Sequence, residues 1–202
     1  MIQIIQKKKI ATALSCYRLS MKDSIPSEIP KFSNLYIGGI GSLLNINLLK
    51  SLKITHIICA TDLAKIPYHS LSSITFLRIS LMDQPNKIYC DALLSKIIPL
   101  TNLFIKDALD NNGKVLVHCF QGKSRATSII IAYMLFINNL NLNNNSIMDH
   151  NDDDNENNMD VENCLDLIQF VRPNAVPNSG FMETLKKYNR ILKLNQEKEK
   201  MN

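Results

Sequence analysis

The chain has 202 residues, 46% hydrophobic and 20% charged, the balance of a soluble globular domain with room for one sizeable core. Its net charge of +5 comes partly from lysines near the two ends, in QKKKI and NQEKEKM, so it suits an anionic ligand but forms no dense basic stripe of the kind that tracks nucleic acid. No apolar run reaches the roughly 18 residues of a membrane span, the N-terminus lacks the order of a secretory signal, and five cysteines (Cys16, Cys59, Cys90, Cys119, Cys164) contain no C-x-x-C pair. These features predict reduced thiols in a cytoplasmic or nuclear protein, without a disulfide frame or a zinc site.

In chain order, residues 1–31 read as a leader that ends in SIPSEIP, whose prolines hold the backbone out of helix. From residue 32 short apolar runs alternate with longer periodic ones. Strands are expected at 34–38, 54–60, 74–80 and 114–119, and helices at about 43–52, 90–111, 123–140, 161–171 and 179–194. Strands buried on both faces and separated by helices imply an α/β fold, a central, largely parallel or mixed sheet of about five strands flanked by helices. The segment NNG (111–113) ends one helix and launches the strand that follows, because Asn and Gly accept the left-handed conformation.

Residues 141–160 are mostly Asn and Asp with no apolar period, and are expected to form a disordered insertion within a domain spanning 32–194, before a charged tail at 195–202. His150 stands there among acidic residues, but the segment lacks the glycine and terminal glutamate of a calcium loop, so no metal is assigned. GGIG (38–41) has Leu44 where a dinucleotide fingerprint needs glycine, and reads as a turn after a strand. Gly122-Lys123-Ser124 ends like an ATP-binding loop, but Val117 holds the position of its first glycine.

The segment VHCFQGKSRAT (117–127) carries the chemistry. A loop from Phe120 to Arg125 between a strand and a helix N-terminus turns amide N–H groups inward and makes a concave anion site. Cys119 at its base has its thiolate stabilised by those amides and by the positive helix end. Arg125 can meet two phosphoryl oxygens with its planar fork, and Gly122 lets the backbone approach them. The plain alternative is a core thiol beside a surface arginine.

VHCFQGKSRA resembles the signature loop of the cysteine-dependent protein tyrosine phosphatases, most of all the small dual-specificity phosphatases. Three further blocks in the same order are similar to that family: NLYIGGIGSLLNINLLKSLKITHIICAT, FLRISLMDQP and VRPNAVPNSGFMETL. The resemblance implies that Cys119 is the nucleophile, Arg125 the clamp, Phe120, Gln121, Gly122, Lys123, Ser124 and Arg125 the phosphate cradle, and Asp83 the general acid, with Asp91 as the alternative. It further implies that His118 orders the loop, that Asn178 lies near the site, and that Cys59 is a candidate redox partner of Cys119. No cofactor is implied.

Two departures stand out. Ala126 replaces the hydroxyl residue that in relatives helps the thiolate leave the phosphoenzyme, and Thr127 is one place too late to substitute. Lys123 adds a cation to the loop, which keeps phosphoinositides in view beside phosphorylated proteins as the partners of the site. The expected activity is hydrolysis of phosphotyrosine and phosphoserine or phosphothreonine through a phosphocysteine. The alternatives are a phosphatase for phosphoinositides or other non-protein phosphates and, because of Ala126, a phosphate-binding pseudophosphatase.

Overall fold

The computed structural model describes residues 23–61, 71–145 and 159–201. Among them, β1 (Ser27–Ile29), β2 (Phe32–Gly38), β3 (His56–Cys59), β4 (Thr75–Arg78) and β5 (Val115–His118) form one sheet in the order β1-β2-β5-β3-β4. β1 runs antiparallel to β2 and the other pairs are parallel, so the expectation of a mixed, largely parallel five-stranded sheet holds. The helices are α1 (Ile40–Leu44), α2 (Ile46–Ser51), α3 (Lys87–Ala92), α4 (Ile98–Asp110), α5 (Arg125–Asn145), α6 (Val161–Val171) and α7 (Ser179–Lys200).

β5 is the middle strand because Val115, Leu116, Val117 and His118 have no residue suited to solvent, and all four are buried. The period-2 alternation of the strands divides the core. Tyr36, Ile57 and Leu116 face Leu43 and Leu49 of α1 and α2, whereas Leu35, Ile37, Ile58, Val115 and Val117 face the larger helical layer. Burying each such aliphatic side chain contributes about 1.5–3 kcal/mol before the entropy cost of ordering the chain. In α5, residues 126–135 are buried around the full circumference, as a helix apolar on every side must be, and α4, α6, α7 and the sheet enclose it.

Several boundaries differ from expectation. The leader does not end at residue 31: Ser27–Ile29 pairs with β2, and Asp23, Ser24 and Ser27 hydrogen-bond to the domain. A three-residue edge strand between Pro26 and Pro30 has little sequence signature, because proline is tolerated only at such edges. The helix expected at 43–52 is broken at Asn45, whose Oδ1 accepts from Leu48 N (3.3 Å) and starts α2. The charged tail continues α7 to Lys200, and α5 runs to Asn145 inside the expected insertion. Residues 146–158, with His150, lie outside the described residues; Asp160 at the far end caps α6.

Lys87–Asp110 is one long helical segment interrupted by a π turn at Leu93–Ile97. Pro99 has no N–H to give to the carbonyl four residues back, and the wider turn immediately before it accommodates that loss. By length and composition this segment could cross a bilayer, contrary to the expectation that no run is apolar enough, but Leu93, Ile97, Ile98, Ile105 and Ala108 pack into the core. Its C-terminus is closed by Asn112 at φ 57° and a hydrogen bond from Gly113 N to Ala108 O (2.8 Å). Asn112 therefore takes the left-handed position.

Candidate active site

Three parallel strands end together at Gly38, His118 and Cys59, which lie in register. Cys119 begins the loop that follows β5, where open α/β sheets collect ligands. The loop's shape is fixed from outside through its carbonyls. Phe120 O accepts from Ile40 N (3.0 Å), Lys123 O from Val176 N (2.8 Å) and Thr127 Oγ1 (2.8 Å), and Ser124 O from Ser128 N (2.8 Å). Between them, Gln121 O and Gly122 O accept from Arg172 Nη2 (2.8 Å) and Nε (2.9 Å). Five consecutive loop carbonyls are thus held by hydrogen bonds, and on the amide side Gly122 N donates to Cys119 Sγ (3.2 Å).

Gly122 turns at φ 64°, and a Cβ there would stand 2.6 Å from Gly38 O and 2.6 Å from Arg172 Nη2. Only glycine fits this crossing. GGIG, expected as a turn after a strand, instead spans the last residue of β2, the junction Gly39 and the start of α1, and a Cβ on Gly39 would stand 3.2 Å from Phe120 O. Arg172 is paired with Asp23, so the chain before β1 joins the same support. Neither Arg172 nor Asp23 was singled out from sequence.

Cys119 is nearly enclosed, at 2% exposure. His118 is buried and its Nδ1 lies 3.2 Å from Cys119 O. A carbonyl only accepts, so Nδ1 carries the proton and Nε2 is a buried acceptor without a partner. Burial pushes the imidazole down to about 4; the hydrogen bond to Cys119 O opposes the shift and the Arg125 charge adds to it. His118 is thus neutral near pH 7, with its ring tied to the Cys119 carbonyl at the start of the loop.

Arg125 opens α5. Its Nη1 donates to Leu81 O (3.2 Å), while its Nε is buried with no hydrogen-bond partner. A buried guanidinium N–H with no hydrogen-bond partner is a donor suited to an anion. Asp83 Oδ2 stands 3.9 Å from that Nε, too far for a hydrogen bond. Asp83 Oδ1 accepts from Ser124 Oγ (2.6 Å) and from Asn178 Nδ2 (2.8 Å). Asn178 also caps α7 by accepting from Phe181 N (3.0 Å), and its own N donates to Ser124 Oγ (3.0 Å). Cys119, Arg125, Asp83, Ser124, His118 and Asn178 are therefore brought together, whereas Asp91 lies in α3. Ser124 does not support the loop internally but reaches across to Asp83.

Gln121 and Lys123 are exposed at the rim. Ala126 is fully buried and Thr127 Oγ1 is spent on Lys123 O, so the position after the arginine has no hydroxyl. Cys59 sits opposite His118 in the sheet, in the cluster on the α1–α2 face, while Cys119 joins the other cluster. Burial pushes the Cys59 thiol up, and its sulfur lies 3.5 Å from Thr61 O. Among the described residues no group of His, Cys, Asp and Glu could hold a metal.

The dual specificity phosphatase catalytic domain, as a family model, matches residues 35–151. Dual specificity protein phosphatase 1 of Arabidopsis thaliana is 27% identical over 89% of this chain and 77% of its own length. Dual specificity protein phosphatase 15 of Mus musculus is 32% identical over 76% of this chain, which spans 54% of that relative's length. The crystal structure of the Yvh1 phosphatase domain from Chaetomium thermophilum superimposes with a TM-score of 0.63 at 28% identity, covering 83% of this chain and 96% of that one. The chain belongs to the dual specificity phosphatase family, whose general mechanism runs through a phosphocysteine.

Proposed function

We propose that this dual-specificity protein phosphatase domain acts on phosphotyrosine and on phosphoserine or phosphothreonine of intracellular proteins, with Cys119 as its nucleophile. The observation that carries the assignment is the Gly122 amide donating to the Cys119 sulfur, in a loop that ends at Arg125 with its buried Nε free of hydrogen bonds. In the first step the sulfur attacks phosphorus, the bond to the leaving oxygen breaks, and Asp83 gives that oxygen its proton. In the second step water attacks phosphorus, Asp83 takes the water's proton, and the thiolate leaves as inorganic phosphate forms. Arg125 and the loop amides hold the equatorial oxygens as charge spreads over them. Exposed Lys123 supports phosphoinositides as a second substrate class. Cys59, beside the residue preceding the nucleophile, is proposed as a redox partner that could protect it.

Initial rates on phosphotyrosine, phosphothreonine and phosphoserine peptides and on soluble inositol phosphates test this assignment. The expected result is turnover of the peptides by the wild type and none by Cys119→Ser. Preference for inositol phosphates would move the substrate class from protein to lipid headgroup, and turnover surviving in Cys119→Ser would refute the assignment.

A further inference from the structure

We infer that Ser124 is a positioning residue for the general acid, and that it makes Asp83 Oδ2 the oxygen that carries the transferable proton. The inference rests on the assignment of Asp83 above.

A serine hydroxyl has one proton and two lone pairs. Asn178 N lies 3.0 Å from Ser124 Oγ, and an amide N–H only donates, so Oγ accepts there. The hydroxyl proton is then free for Asp83 Oδ1 at 2.6 Å, the distance of a charge-assisted O–H···O bond. Oδ1 receives a second donor from Asn178 Nδ2 at 2.8 Å. A proton placed on Oδ1 would confront both donors and leave the Ser124 hydroxyl without an acceptor. Oδ2 has no such competitor: the group facing it is Arg125 Nε, an ion-pair partner at 3.9 Å that lies outside hydrogen-bond reach and has no hydrogen bond of its own. Oδ2 is therefore the oxygen that points to the phosphate side of the carboxyl group and can be protonated without breaking a hydrogen bond.

Ser124 belongs to the phosphate loop and Asp83 to the loop after β4, 41 residues apart in the chain. The hydroxyl thus links the cradle to the acid, and Asn178 at the start of α7 braces both. A loop serine that merely maintained the cradle would have no reason to address the carboxylate.

The experiment compares kcat/KM over aryl phosphates whose phenols range from strongly to weakly acidic, since only weakly acidic phenols need a proton to depart. Ser124→Ala is expected to lose at least about 10-fold more activity on the weakest-acid phenol than on the strongest, so the dependence on leaving group steepens toward that of Asp83→Asn. In an Asp83→Asn background, removing the hydroxyl should add no further steepening. Asn178→Ser keeps a capping oxygen for α7 but removes the Nδ2 donor, and is expected to steepen the dependence in the same direction, which keeps the test available should Ser124→Ala not fold. An equal loss on every phenol in both variants, or steepening that persists undiminished without the Asp83 carboxyl, would overturn the inference. Failure of the underlying assignment looks different: Asp83→Asn itself would then leave the leaving-group dependence of the wild-type loop unchanged.

Discussion

Replacing His118 with Asn tests the electrostatics beneath the nucleophile. His118 is buried, uncharged, and held at about 4 against an ordinary 6.5. The unfolded chain binds a proton near 6.5 and the folded chain resists it until about 4, so the histidine favours folding fully above 6.5 and loses that contribution as pH falls towards 4. The gap corresponds to about 3 kcal/mol at its limit, of which about 2 kcal/mol is already gone at about pH 5. Because the chain has no tryptophan, urea unfolding followed by far-ultraviolet circular dichroism at a series of pH values is the suitable assay. His118→Asn retains a donor for Cys119 O but cannot titrate, so its stability should decline less than that of the wild type between about pH 7 and pH 4.5. Carboxylates titrate in both proteins, and the difference between the curves isolates the histidine. Parallel curves would show that the imidazole is not held neutral, and the account of the loop's base would fail.

Gly122→Ala should cost about 2 kcal/mol or more, because a left-handed alanine is strained by about 1–2 kcal/mol and its methyl meets the Gly38 backbone; a stable, fully active variant in urea titration and aryl phosphate assays would contradict the crossing described for it. Arg172→Ala removes two charge-assisted bonds to loop carbonyls, worth about 1.5–3 kcal/mol each, and should lower stability by about 3 kcal/mol and raise KM for an aryl phosphate; unchanged values would show that the loop stands without this support. Ala126→Ser should restore a hydroxyl after the arginine and accelerate the steady phase that follows a stopped-flow burst of phenol, whereas a wild-type trace with no slow second phase would dispose of the idea that phosphoenzyme breakdown is slowed.

The site was legible where its parts are close in sequence. Cys119 and Arg125 lie in one loop after a buried strand, where spacing suggested a thiol at an anion site, and the resemblance of VHCFQGKSRA weighed against the plain core-thiol alternative. Asp83 and Asn178 were visible through the resemblance of the blocks FLRISLMDQP and VRPNAVPNSGFMETL, since an Asp before Gln-Pro is otherwise an ordinary turn former. Arg172 and Asp23 left no such mark: they meet across 149 residues, and a side chain that binds carbonyls has no periodicity to betray it. The longer helices were legible from their apolar periodicity or length, but the π turn before Pro99 and the break at Asn45 depend on single backbone groups that a hydrophobic pattern averages over. Pro26 and Pro30 made residues 27–29 look like leader, although proline at the borders is what an edge strand permits.

Acid-quenched turnover of a phosphopeptide carrying radiolabelled phosphate bears most directly on the proposed chemistry. Digestion and mass spectrometry should find the label on the peptide that contains Cys119, with none on Cys119→Ser. Continued release of phosphate by an enzyme whose Cys119 never carries label would contradict the phosphocysteine route.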